Sequence, residues 1–61
     1  MNMKNRNELE VRYDYNGEIG YCTFNAGWVA GVTGKKAEDL KIGSGFDING
    51  TYYTIENIYR V

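Results

Sequence analysis

The stretch YDYNGEIGY, residues 13–21, places the dipeptide Asn16-Gly17 between two runs in which apolar and polar residues alternate. Asn-Gly in this setting is a strong signal for a β-hairpin. The same dipeptide returns as Asn49-Gly50 in FDINGTYY, residues 46–53. The sequence therefore predicts two hairpins, and we expect both glycines to have positive φ.

The first hairpin begins with ELEVRYDY, residues 8–15, whose alternation predicts a half-buried strand. Its register depends on the turn. A two-residue turn would put Ile19 and Tyr21 on the charged face, whereas a three-residue turn with a G1 bulge would put both on the apolar face. A slip of one residue moves every side chain to the other face of a sheet. Burial of Ile19 and Tyr21 therefore favours the bulged turn, which we predict.

The second hairpin gives the opposite result. A two-residue turn at Asn49-Gly50 pairs Phe46 with Tyr53, and both then lie on one apolar face. The alternation breaks at NIYRV, residues 57–61. The sequence therefore predicts a tight second turn and, near Asn57, either a β-bulge or a switch to pairing with another strand.

The segment between the hairpins contains GWVAGV, residues 27–32, which predicts a third strand, and KKAEDLK, residues 35–41, which predicts one short α or 3-10 helix. Thr33 is the expected N-cap of this helix, and Gly43 is expected at its end. Leu40 would then seal one end of the sheet.

These elements predict a mainly β fold: a small five-stranded, strongly bent antiparallel sheet or half-open barrel, SH3-like or OB-like, with one short helical turn. The alternative is an open antiparallel sheet with the short helix on one face. Residues 1–7 are expected to be a flexible lead-in, and residues 8–61 a single domain. The predicted core is Leu9, Val11, Tyr13, Ile19, Tyr21, Val32, Leu40, Phe46, Ile48, Tyr53 and Ile55.

Composition argues against most kinds of chemistry. The chain of 61 residues has one cysteine and no histidine, so we expect no disulfide, no metal and no cofactor. Cys22 has no histidine to activate it, and the paired carboxylates are expected to be solvated, so we predict no enzymatic activity. No apolar run is long enough to span a bilayer. The start MNMKNRNE lacks the core of a signal peptide, and we expect a cytoplasmic protein.

Aromatic residues are the feature that points to function, since they make up 15% of the chain. A core this small cannot enclose all of them, and tyrosine and tryptophan dominate binding hot spots. The candidate partner-binding residues are the aromatic side chains left outside the predicted core: Tyr15, Phe24, Trp28, Tyr52 and Tyr59.

The leading hypothesis is a non-enzymatic protein-interaction module or inhibitor with a tyrosine-rich surface. Its most specific form is a phage or mobile-element protein that acts on a host or defence enzyme. A nucleic-acid-binding barrel is the alternative, with Lys35, Lys36, Lys41 and Arg60 as a basic edge. A net charge of −1 makes strong phosphate binding the weaker hypothesis. A third hypothesis is a homo-oligomeric structural or ligand-binding subunit.

Overall fold

The structure is a computed structural model that describes residues 7–60. The predicted lead-in, apart from Asn7, lies outside the described residues, as does Val61. The elements in chain order are β1 (Glu8–Tyr15), β2 (Glu18–Asn25), α1 (Ala26–Thr33), a 3-10 turn (Ala37–Asp39), β3 (Gly45–Ile48) and β4 (Thr51–Tyr59).

The strands form one antiparallel sheet in the order β2-β1-β4-β3. The mainly β class is confirmed. The predicted fifth strand and the SH3-like or OB-like barrel are not: the described residues form four strands, and the sheet is open. Helix α1 packs on one face of the sheet through Ala26 and Val29. The architecture is therefore the open-sheet alternative, with the helix in a different place.

The first hairpin has the two-residue turn, so the predicted bulged turn is wrong. Tyr15 lies opposite Glu18, and Asn16 and Gly17 have φ values of 54° and 83°. Positive φ at both central residues defines a type I′ turn, whose twist matches that of the strands. Every residue of β2 consequently faces the side opposite to the one predicted.

The predicted core changes with this register. Ile19 and Tyr21 are exposed, whereas Cys22 and Phe24 are half-buried and pack against the core. Phe24 accounts for the observed register. Its ring contacts rings from α1, β3 and β4, and these contacts would be lost in the bulged register, which turns Phe24 to the outer face.

The second hairpin is confirmed in detail. Phe46 lies opposite Tyr53, and Asn49 and Gly50 have φ values of 54° and 85°. Both turns lie at the same end of the sheet, because β4 starts beside the end of β1.

The two hairpins share a motif, Asp-x-Asn-Gly, that ties each turn to its own strand. The Asp14 carboxylate accepts a hydrogen bond from the Gly17 N–H at 3.1 Å. In the second hairpin, the Asp47 carboxylate accepts from the Gly50 N–H at 3.2 Å. The glycine N–H of a type I′ turn points away from the ladder, so the aspartate supplies an acceptor that the backbone does not.

Helix α1 replaces the strand predicted at residues 27–32. The Asn25 side chain accepts a hydrogen bond from the Trp28 N–H at 2.9 Å, and Gly34 ends the helix with φ of 78°. These two caps satisfy the ends of an eight-residue helix whose glycine and valine content favours other structures. The helix predicted at residues 35–41 takes its 3-10 form and is shorter than predicted, at Ala37–Asp39, and Thr33 belongs to the end of α1 instead of capping it.

The core lies between α1 and the inner face of the sheet. Of the predicted core, Tyr13, Ile48 and Tyr53 are half-buried rather than buried, and Ile19, Tyr21 and Val32 are exposed. The buried side chains are those of Leu9, Val11, Ala26, Val29, Leu40, Phe46 and Ile55.

Two features depart from a regular flat sheet. A register shift in the β1–β4 pairing, where Val11 pairs with Ile55 but Glu10 with Asn57, is the bulge predicted near Asn57, and a bulge bends its strand and increases the local twist. The rings of Phe24 and Phe46 come from opposite edge strands and meet at 6.1 Å over the inner face.

Candidate functional site

The outer face is the side of the sheet that points away from α1. Within residues 7–60 no helix or strand packs on it, since α1 and Leu40 both lie on the inner face. Its largest apolar side chains are Ile19, Tyr21, Tyr52 and Tyr59, which are 50%, 60%, 59% and 50% exposed.

Arg12 lies at the centre of this face. Its neighbours in the ladder are Tyr21 on β2 and Thr54 on β4. The guanidinium Nε is 3.5 Å from a carboxylate oxygen of Glu56. This ion pair is solvated, so it directs the guanidinium more than it stabilises the fold.

A shallow depression of about 250 Å³ lies beside Arg12. Ile19 forms one wall and Tyr52 the other, so an apolar group seated there would touch both. The depression is lined by Arg12, Tyr13, Asp14, Ile19, Tyr52 and Thr54. We call Arg12, Ile19, Tyr21 and Tyr52 the outer-face cluster.

Tyr52 is held against the sheet rather than extended into solvent. Its ring lies over Gly45 on the neighbouring edge strand, where a Cβ atom would overlap the ring and hydroxyl. An aromatic ring that covers a glycine on an edge strand is a known way to fill the space left by the missing side chain. Gly45 therefore fixes the direction of a side chain that is otherwise mostly exposed.

Tyr59 lies at the other end of the outer face, beside Glu10. One carboxylate oxygen of Glu10 accepts hydrogen bonds from the Asn57 amide at 2.9 Å and from the Tyr59 hydroxyl at 3.3 Å. The negative charge of Glu10 raises the pKa of Tyr59, and desolvation and the hydrogen bond add to the shift. The phenol is therefore neutral and is a hydrogen-bond donor at pH 7.

The structure distributes the five sequence-predicted partner-binding residues over three places. Tyr52 and Tyr59 lie on the outer face, and Tyr15 lies at the first turn, 63% exposed. Trp28 is on α1, 49% exposed, and its ring stacks on Phe24 at 5.6 Å. Phe24 shares a face with Leu9 and Val11, so its predicted position on the opposite face is wrong.

Two outer-face residues were missed at the sequence level. Ile19 and Tyr21 were assigned to the core because the bulged turn was preferred. The two-residue turn that Asn-Gly favours most would have exposed both of them.

The predicted basic residues are all exposed but lie apart from the outer-face cluster. Lys35, Lys36 and Lys41 are in the connection between α1 and β3, which covers the inner face. Arg60 follows β4. Within residues 7–60, the outer face carries one guanidinium, that of Arg12, and the carboxylates of Glu8, Glu10, Asp14, Asp47 and Glu56.

The described residues offer little for other chemistry. Among residues 7–60 no three metal-ligating side chains come together. Burial raises the pKa of the Cys22 thiol, which therefore stays protonated at pH 7 and is a poor nucleophile. No helix in this part of the chain is both long and apolar enough to cross a membrane.

Comparisons with known proteins leave the geometry as the basis for function. No family model, no curated protein and no solved structure matches this chain.

Proposed function

We propose that this protein is a non-enzymatic interaction module that binds another protein through the outer-face cluster. The observation that carries the proposal is the uncovered group of Ile19, Tyr21 and Tyr52 around Arg12. Tyrosine and arginine are among the residues that contribute most to hot spots at protein interfaces.

The outer-face cluster is suited to binding because its side chains lose little conformational freedom when a partner binds. Tyr52 already rests on Gly45, and Arg12 is directed by Glu56. Ordering a side chain at an interface costs about 0.5–1.5 kcal/mol, so positioning before contact favours affinity. The same side chains add little to the fold, since they are mostly exposed.

The charge of the outer face supports a partner with a basic surface. Among the described residues, the outer face has five carboxylates and one guanidinium, and two of the acids, Asp14 and Glu56, lie immediately beside the cluster. A complementary surface would bring lysine or arginine side chains around an apolar anchor that enters the depression. Nucleic acid fits this face poorly because its phosphates would meet the carboxylates.

The experiment compares the wild type with Tyr21→Ala, Tyr52→Ala and Val32→Ala. Val32 is also exposed but lies on α1, so Val32→Ala is the matched control. Each tagged variant is used to capture proteins from native cell extract, and the affinity of a protein retained by the wild type is then measured by calorimetry. We expect at least about tenfold weaker binding for both tyrosine variants, unchanged binding for Val32→Ala, and circular dichroism like that of the wild type.

The salt dependence tests the partner's charge. Affinity should fall as salt is added, and Glu10→Gln should reduce both the association rate and its salt dependence. The proposal is wrong if both tyrosine variants fold and bind as the wild type does. Oligonucleotide binding tighter than about 10 μM at physiological salt would favour the nucleic-acid hypothesis instead.

A further inference from the structure

The two edges of the sheet differ in how open they are. Edge strand β3 is four residues long, which limits pairing with another chain. Edge strand β2 is eight residues long and pairs with β1 in unbroken register. Its sequence EIGYCTFN has no lysine, no proline and no bulge, the devices by which natural proteins protect an edge. Within residues 7–60, β1 is the only strand that pairs with β2.

The first turn determines which backbone groups of β2 are free. In a two-residue hairpin the residues flanking the turn, Tyr15 and Glu18, form a hydrogen-bonded pair. Bonded and non-bonded pairs then alternate along the ladder. The N–H and C=O groups of Ile19, Tyr21 and Thr23 therefore point away from β1, towards the open edge.

We propose that this edge pairs antiparallel with the same edge of a second copy of the chain, about a two-fold axis at Tyr21. Tyr21 then lies opposite Tyr21 of the second copy, and Ile19 opposite its Thr23. By symmetry, Thr23 also lies opposite Ile19 of the second copy. The resulting three pairs supply about six interchain hydrogen bonds, two for each pair. The product is one continuous eight-stranded sheet, in which β2 is no longer an edge.

A second copy suits this edge on grounds of charge and shape. Glu18 is the one charged residue of β2, and in this register it lies opposite Phe24 of the second copy, far from the other Glu18. On the outer face the side chains that meet are Tyr21 with Tyr21 and Ile19 with Thr23, and such β-branched and aromatic residues favour cross-strand pairing. The register shifted by one step along the edge would use Asn25, which is already the N-cap of α1.

Pairing with a second copy would also add stability to a fold whose core is small. Seven side chains are buried in the described residues, and a domain near 60 residues has a thin stability margin, to which a partner subunit can add. The inference goes beyond the proposed function and does not depend on it. If both hold, the outer-face clusters of the two copies adjoin at Ile19 and Tyr21.

Sedimentation equilibrium over a wide concentration range tests the dimer, with Thr23→Pro and Thr23→Val as a matched pair. Proline removes the N–H that faces the open edge and leaves the β1–β2 hydrogen bonds intact, because proline is tolerated on the free side of an edge strand. We expect the wild type and Thr23→Val to dimerise, and Thr23→Pro to dissociate at least about tenfold more readily with unchanged circular dichroism.

Charged substitutions of Tyr21, the residue at the proposed two-fold axis, test the register without a proline variant. Tyr21→Lys and Tyr21→Glu should each be monomeric, because like charges would face one another, and their mixture should form a one-to-one heterodimer in native mass spectrometry. A wild type that stays monomeric at every concentration would overturn the proposal. So would a Tyr21→Lys variant that dimerises as well as the wild type. Both readouts are of self-association, so failure to bind another protein leaves them unaffected.

Discussion

Two glycines on the edge strands are covered by tyrosine rings, and alanine at these positions should have opposite effects. Tyr13 lies over Gly20 on the inner face, and Tyr52 lies over Gly45 on the outer face. In both cases an added Cβ atom would overlap the ring. The difference lies in whether the ring can move.

The Tyr13 ring is held by neighbouring rings, whereas the Tyr52 ring rests on Gly45 alone and can move into solvent if a Cβ atom displaces it. The Tyr13 ring packs edge-to-face on Tyr53 at 5.6 Å, and Tyr53 stacks on Phe46 in the core. Overpacking at such a site costs about 1–3 kcal/mol. Replacing glycine by alanine in a strand returns about 0.5–1 kcal/mol of that. Gly20→Ala should therefore destabilise the fold by up to about 2.5 kcal/mol, whereas Gly45→Ala should be neutral or stabilise it by up to about 0.5 kcal/mol.

Thermal unfolding followed by circular dichroism at one fixed protein concentration measures the difference. For a domain of this size each kcal/mol moves Tm by about 4–8 °C, so the two variants should be separated by several degrees. Gly31→Ala is the positive control, because that helical position is open and alanine should raise Tm. If Gly20→Ala is as stable as the wild type, the Tyr13 ring does not pack as described. Gly45→Ala should also weaken partner binding, since it displaces Tyr52.

Four further outcomes are expected. Asn25→Ala should cost about 1 kcal/mol in urea unfolding and Asn25→Asp much less, because aspartate keeps the cap acceptor of α1; equal losses would contradict the capping role. Asp14→Ala and Asp47→Ala should each cost about 0.5–1.5 kcal/mol and their effects should add, whereas asparagine at either site should preserve the turn. Phe24→Ala should cost about 2 kcal/mol or more, since its ring contacts three others; a smaller loss would revive the bulged register. Cys22 should react with iodoacetamide at pH 8 more slowly in the folded protein than in urea, because burial raises its pKa.

The parts of the fold that local pattern determines were predictable. β1, the second hairpin and the bulge near Asn57 follow from alternation and from the place where it breaks. The register of the first hairpin could not be predicted from alternation, because either register places two apolar residues of β2 on the inner face. Ile19 with Tyr21 is as apolar as Cys22 with Phe24. The choice depends on rings contributed by α1 and β3, which are distant in sequence.

Helix α1 was missed because its residues favour strands and turns when each is judged alone. Two signals were nevertheless present in the sequence. Asn25 is a good N-cap residue, and the side chains that face the sheet recur at Ala26, Val29 and Ala30, which is the spacing of one helical face. Caps at both ends and burial of this face outweigh the low helix propensity of glycine and valine.

The type of the first turn determines both which side chains of β2 enter the core and which lie on the surface that is proposed to bind a partner. The type I′ turn places Phe24 in the aromatic cluster, and it thereby turns Ile19 and Tyr21 to the outer face. The fold does not require large apolar side chains there, because their neighbour Thr23 occupies an equivalent exposed position on β2. Threonine at positions 19 and 21 would keep β propensity and lower the risk of aggregation. We therefore propose that Ile19 and Tyr21, which stability does not need, are there for contacts with other chains: a partner protein on the outer face and a second copy along β2.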